Sequence, residues 1–215
     1  MYEPLKITAW LQDGIATDAT CPLDGILFYM AMREAYGPQD VTLSGTKSQN
    51  PDVALPITKI NPDQPDWFYA SSYAIWNGPV VEYTDYWNKR FDQQLSGMID
   101  FRGKRGKVII EQGQYKAYHM PINIRHALSI SWHVHGDGAW IENTLQFVSH
   151  IGKKSSQGDG AVLRWHVEPT IHDYSIYGPD AQLMRCVPST TGRGLYVGFR
   201  PSYWMRENQT ICSMP

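Results

Sequence analysis

The stretch ALSISWHVHGDGAWIENTLQFVSHIGKKSSQGDGAVLRWHVE, residues 127–168, reads as strand, helix, glycine loop, strand. Over Ala127–His135, Leu128, Ile130, Trp132 and Val134 alternate with Ser129, Ser131, His133 and His135, the period-2 pattern of a half-buried strand. Gly136-Asp137-Gly138 turns the chain, and Ile141, Leu145 and Val148 then fall at helical spacing from about Ala139 to His150. IGKKSSQGDG (151–160) follows, then the apolar β-like run AVLRWHVE (161–168), ended by Pro169. In the loop, Gly152, Gly158 and Gly160 bracket Lys153, Lys154, Ser155, Ser156 and Gln157. Glycine permits positive φ and close backbone approach. The lysines supply charge; the serines and freed backbone N–H groups supply neutral donors. That chemistry cradles phosphates without reading bases. No Gly-Lys-Ser/Thr triplet closes the loop, and it ends a helix instead of opening one, so it is neither a P-loop nor a dinucleotide fingerprint. A plain helix-to-strand turn with two solvated lysines accounts for the same residues.

The N-terminal third repeats the first half of that pattern. Leu5, Ile7, Ala9 and Leu11 alternate with Lys6, Thr8 and Trp10, a second half-buried strand. Thr20 is placed to cap a helix with Pro22 in its first turn. Leu23, Ile26, Leu27, Met30 and Ala31 then share one helix face, and Gly37-Pro38 stops it. Residues 38–66, with five prolines, read as an ordered loop or insertion, and aromatic β-like runs follow at 67–76 and 80–87. Val108–Glu111 and Tyr115–Met120, joined across Gln112-Gly113, look like a hairpin. The order β–α–β, aromatic insertion, β–α–β predicts an α+β, ferredoxin-like (RRM-like) domain over 1–169. Residues 170–215, rich in Gly, Pro, Ser and Thr, are expected to form an irregular C-terminal extension that wraps the core, with one short strand near Leu195–Phe199.

Bulk properties narrow the class. The 215 residues are 42% hydrophobic with 8 Trp and 13 Tyr, enough for a substantial core. The longest apolar run, Ile26–Met32, is too short to span a bilayer, and MYEPLKIT lacks the pattern of a signal peptide. Cys21, Cys186 and Cys212 are odd in number and widely spaced, arguing against a disulfide framework or a zinc knuckle. The expectation is a cytoplasmic protein with no membrane partner. The net charge of −2 hides an asymmetry: residues 1–100 carry 6 Lys/Arg against 13 Asp/Glu, residues 101–215 carry 13 against 8, and all 7 His lie in the second half. The second half therefore suits an anionic partner.

Other candidate contacts lie in that half. FRGKRGK (101–107) sets Arg102, Lys104, Arg105 and Lys107 on a glycine-spaced loop, a basic finger for a phosphate backbone or a solvated hairpin tip. Just upstream, Trp87, Lys89 and Arg90 combine an aromatic with cations, either to stack a base or to join a core. Arg193, Arg200 and Arg206 lie among Tyr203 and Trp204; they either clamp phosphate or face water while the aromatics anchor the tail. His133 and His135 share one strand face, but no nearby Cys or acidic cluster completes a metal site, so neither metal nor cofactor is expected. His126, His133, Tyr118 and Lys104 could supply a general acid and base for RNA cleavage. The sheet lacks the aromatic pattern with which RNA-recognition motifs stack bases.

A ferredoxin-like core whose second helix runs into G-x5-G-x-G (Gly152, Gly158, Gly160) resembles the RAMP superfamily of CRISPR-associated proteins. PLKITAWL near the N-terminus, CPLDGILFYMAM (21–32) and GRGLYVGFRPSYW (192–204) sharpen the match to the small backbone subunit of type IV CRISPR effector complexes. The resemblance implies a non-catalytic subunit that caps the repeat-derived 5′ handle of the crRNA. Such a subunit contacts the first filament backbone subunit through a β-hairpin thumb, here roughly residues 78–126, and docks the large subunit. It also makes target DNA near the protospacer-adjacent motif a candidate partner. The RNA contacts expected are Gly152–Gly158 and Gly160 in the glycine-rich loop, Arg102, Lys104, Arg105 and Lys107 in the finger, and Arg193 and Arg200 in the tail. The alternative is a metal-independent endoribonuclease that cuts CRISPR repeat RNA; a third reading is a plain protein-interaction module.

Overall fold

The computed structural model describes residues 1–17, 20–37, 53–99, 108–111, 115–155 and 158–215. Its central element is a four-stranded antiparallel sheet in the spatial order β4 (Ile75–Asn77), β7 (Ser129–Asp137), β1 (Tyr2–Leu11), β8 (Val162–Pro169). Helix α1 (Leu23–Tyr36) leaves β1, and helix α2 (Gly138–Leu145) joins β7 to β8. Period-2 alternation puts Leu5, Ile7, Ala9 and Leu11 of β1 beside Ile130, Trp132 and Val134 of β7, all buried against Leu23, Leu27, Phe28 and Ala31 of α1 and Ile141 and Leu145 of α2. Two indoles are fixed by hydrogen bonds as well as packing: Trp132 Nε1 donates to the Cys21 carbonyl and Trp165 Nε1 to the Val148 carbonyl, each at 2.8 Å.

The opposite sheet face is polar and largely pairs with itself. Lys6 Nζ meets Glu168 at 3.3 Å, the Arg164 guanidinium lies 3.9 Å from the Trp10 ring centroid, and Asn77 reaches Ser129 and Ser131. His135 Nδ1 is 2.6 Å from Thr58 Oγ1, and His133 packs edge-on against Tyr174.

Several boundaries differ from the sequence reading. Helix α1 starts at Leu23 with Pro22 at the cap position and no side-chain cap bond, so Thr20 is not its N-cap. The buried face of α1 is turned toward Phe28 and Met32; Ile26 and Met30 only half-bury. Gly37, at φ +80°, does stop the helix, its N–H donating to Arg33. Leu128 is 70% exposed because β7 begins one residue later. Tyr118–His126 is a strand, but its partner is not 108–111. It is β6, paired over nine residues with β5 (Val81–Lys89), from Val81 opposite His126 to Lys89 opposite Tyr118. Local turn chemistry at Gln112-Gly113, which lies outside the described residues, is overruled by this longer pairing. The 38–52 part of the proline-rich loop also lies outside; its remainder buries Leu55 and Ile57 and pairs β2 (Lys59–Ile60) with β3 (Phe68–Tyr69).

The tail is more regular than its composition suggests. β9 (Val187–Pro188), β10 (Leu195–Gly198) and β11 (Gln209–Ser213) form a three-stranded antiparallel sheet in the order β10–β11–β9. Phe199, Cys186 and Cys212 pack with Phe68 into a second small core. The strands are short, and their alternation is hidden by the turns between them. Burial, and then Cys186, push the Cys212 thiol up to about 12.

Arg185 joins the tail to the main core. It is fully buried; Nη1 donates to Asp24 Oδ2 at 3.2 Å and to the carbonyls of Tyr69 and Ser71, and Nη2 to that of Phe199. The Tyr203 hydroxyl donates to the other Asp24 oxygen at 2.5 Å. Burial disfavours the guanidinium's charge, but Asp24 and Tyr203 together hold its pKa above the ordinary arginine value. Burial, and then Asp24, push the Tyr203 phenol well above its ordinary value.

Candidate nucleic-acid interface

The glycine loop is not a loose turn. Lys153 N–H donates to the Ala16 carbonyl at 2.6 Å, Gly160 N–H to Gly14 at 2.9 Å, and Ile151 N–H to Gly160 at 2.9 Å. Two of its glycines are obligatory. At Gly160 (φ +72°) a Cβ would fall 1.9 Å from the Ile151 carbonyl oxygen. At Gly152 (φ +84°) it would fall 2.5 Å from Ile15 Cγ2 and 2.9 Å from the Ala16 oxygen. Glycine is thus selected twice over, for positive φ and for close approach of backbone to backbone.

The partner in this lock is the short segment Gly14–Ile15–Ala16, just after β1. Its other side holds the root of the β5–β6 hairpin: Ile15 N–H donates to the Arg125 carbonyl at 2.7 Å, and the Ile15 carbonyl accepts from Arg125 N–H at 3.0 Å. Ile124 of the hairpin is buried against Gly14, where any Cβ would collide with its Cγ2. Residues 14–16 therefore clamp the glycine loop to the hairpin. No motif in the sequence marks them; the available signal is the apolar pair Ile15-Ala16 directly after a glycine.

A side chain crosses the same gap. Lys154 Nζ lies 3.7 Å from the Trp87 ring centroid, and Trp87 in turn stacks with Tyr118 across the hairpin. Asp159 titrates above its ordinary value through burial and then through Asp85 and Asp13, with Lys154 opposing them. Lys154 thus serves the fold, holding loop to hairpin and offsetting the Asp159 carboxylate. Its backbone sits at φ +64°, a left-handed position that is costly for a residue with a Cβ. Lys153 is exposed and has no ion-pair partner among the described residues.

The remaining sequence candidates separate. Ser155 and Gly158 belong to the locked loop, with Gly158 N–H donating to the Ser155 carbonyl. Ser156, Gln157, Arg102, Lys104, Arg105 and Lys107 lie outside the described residues; the last four fall in the connection between β5 and β6. Arg193 is exposed on the turn before β10. Arg200 leaves the contact set. It is buried, Nε donates to Asn208 Oδ1 at 2.6 Å, Nη1 donates to the Pro65 and Trp67 carbonyls, and its guanidinium stacks on Trp67. It anchors the tail, as its burial beside a fixed asparagine requires. Trp87 is packed in the hairpin and under Lys154, not displayed for a base.

Of the residues considered for RNA cleavage, Lys104 lies outside the described residues, and Tyr118, His126 and His133 are spread over two sheets. Tyr118 and His126 stand at opposite ends of β6, roughly 26 Å apart at the rise of an extended strand. His133 lies in the main sheet, where burial, and then Lys6, lower its pKa below the ordinary value. Among the described residues no three His, Cys, Asp or Glu side chains are grouped to hold a metal, and no helix is long and apolar enough to cross a membrane.

The family model described as CRISPR type IV associated protein Csf3 matches residues 3–215. The chain belongs to the Csf3 family. That makes it a type IV CRISPR-associated protein, an assignment that spans both the sheet and the tail. No curated protein matches it.

Proposed function

We propose that this Csf3-family chain is a non-catalytic RNA-binding subunit of a type IV CRISPR effector complex that caps the repeat-derived 5′ handle of the crRNA. The fold supports reading it as a ferredoxin-like RAMP domain: central strands β1 and β7 are flanked by β8 and β4, with α1 following β1 and α2 preceding β8. The β5–β6 hairpin, which pairs with no other strand of the described residues, is the thumb of that reading and the surface for the first filament subunit. The large subunit, and target DNA near the protospacer-adjacent motif, are the further partners, in the cytoplasm.

One observation carries the proposal. The glycine loop and the hairpin are locked onto the two sides of residues 14–16, and the loop presents Lys153 to solvent. A rigid, glycine-rich backbone edge with a free cation suits a phosphate backbone and not a base edge. RNA copurified with the tagged protein from cells carrying its native locus should begin at one fixed position within a CRISPR repeat. Reads scattered over the transcriptome would sink the handle assignment, and cleavage of repeat RNA by the purified chain in chelator would sink the non-catalytic one. Lys153→Ala should flatten the salt dependence of binding by about one phosphate contact, similarly for all RNA sequences.

A further inference from the structure

Beside the glycine loop, on the helix side of the sheet, lies a groove of about 620 Å³. Its floor is Cys21 and Pro22 with α1 as far as Arg33; one wall is Phe147–Gly152 with Ser155, the other Pro201–Trp204. The volume suits a ligand the size of a nucleotide. Three features give its chemistry. Flat rings stand free in it: Tyr29 is 41%, Trp204 50% and Phe147 76% exposed. Among the described residues that line it, Arg33, 5.8 Å from the Tyr29 ring centroid, is the charged side chain, His150 adds an imidazole, and there is no Asp or Glu. Hydroxyl groups are present and one is unused: Ser202 lines the groove, is 1% exposed, and its Oγ has no hydrogen-bond partner. A buried hydroxyl without a partner is a cost that a bound polar group would relieve.

We infer that this groove binds one unpaired nucleotide of the RNA held at the glycine loop. Its base stacks on the exposed rings, and its phosphate lies toward Arg33. The inference rests on the RNA-binding reading above and adds to it a base-contacting subsite that shares Gly152 and Ser155 with the loop. Aromatic stacking tolerates any base, because every base offers a π-face, so the subsite adds affinity and fixes register more than it selects sequence. A protein segment is the competing occupant. The Arg33 cation and the shared wall at Gly152 and Ser155 favour the nucleotide, since a groove for a protein segment would need no cation and no continuity with a phosphate-binding loop.

The test uses the full chain and a single-stranded oligouridylate carrying one 2-aminopurine, moved through successive positions. Wild type should quench the fluorescence at one position strongly. Phe147→Ala/Trp204→Ala should abolish that quench and weaken binding about 10-fold, the size expected for loss of base stacking. Trp204→Phe alone should retain most of both. Both positions are exposed enough for the variants to keep the wild-type melting temperature, which is checked first. Unchanged affinity and quench in the double variant would overturn the groove while leaving the RNA-binding reading intact. So would unchanged RNA binding combined with failed assembly of the effector complex, which would assign the groove to a protein. A wild-type chain that binds no RNA in low salt would overturn both.

Discussion

Replacing Arg185 by methionine tests whether the tail and the main sheet form one folding unit. The substitution conserves bulk but removes five donations: to Asp24, to the Tyr69, Ser71 and Phe199 carbonyls, and a weaker one to Cys186 at 3.4 Å. Asp24, itself fully buried, is left with the Tyr203 hydroxyl as its side-chain partner. Breaking a buried ion pair from one side costs about 3–5 kcal/mol. Each carbonyl that finds no other donor adds about 1 kcal/mol. A net loss of about 5 kcal/mol is a large share of the 5–15 kcal/mol typical of a domain. Removing the carboxylate as well should recover part of it, because the stranded charge is then gone: Asp24→Leu/Arg185→Met should be about 2 kcal/mol more stable than Arg185→Met alone. Urea unfolding followed by tryptophan fluorescence measures both, and the cycle closes with Asp24→Leu. A cost below about 1 kcal/mol for Arg185→Met, or a double variant as unstable as the sum of the singles, would refute the reasoning.

Gly160→Ala should destabilise the chain by at least about 2 kcal/mol, since it combines left-handed strain with a 1.9 Å approach to the Ile151 oxygen, and should weaken RNA binding by shifting the loop off residues 14–16; calorimetry and a binding titration read the two effects. At Lys154, Lys154→Gly should melt higher than Lys154→Ala by the equivalent of about 1 kcal/mol, because glycine accepts φ +64° freely while both lose the contact with Trp87; equal melting temperatures would remove the strain at this position. His133 has a native pKa lowered from 6.5 by burial, so the unfolded chain binds the extra proton first as the solution is acidified. Its contribution is complete above about pH 6.5 and is lost as pH falls from there toward the lowered native value; His133→Gln should flatten the stability profile in that window, and an unchanged profile would assign the dependence to other groups.

How much of this was written in the sequence depends on the range of the interactions involved. Strands β1 and β7 and helices α1 and α2 were legible because one buried face imposes a period of 2 or 3.6 on neighbouring residues. The glycine loop was legible for the same local reason, since positive φ at Gly152, Gly158 and Gly160 demands that residue type whatever the partner. Long-range pairing was not legible. Val108–Glu111 lies closer in sequence to Tyr118 and is apolar enough to pair with it, but nine residue pairs with Val81–Lys89 outweigh a short local hairpin. Arg185, Arg193 and Arg200 look alike as letters. Only packing decided that Arg185 and Arg200 are buried structural cations while Arg193 faces water. Likewise KK at 153–154 reads as two equal charges, yet Lys154 is drawn to Trp87 from the hairpin and to the Asp159 carboxylate of its own loop, while Lys153 stays exposed. Local sequence therefore determined the elements and the conformation of the loop, because backbone dihedrals and facial periodicity act between near neighbours. Tertiary structure decided which charges are free, because desolvation and partner choice depend on residues distant in the chain.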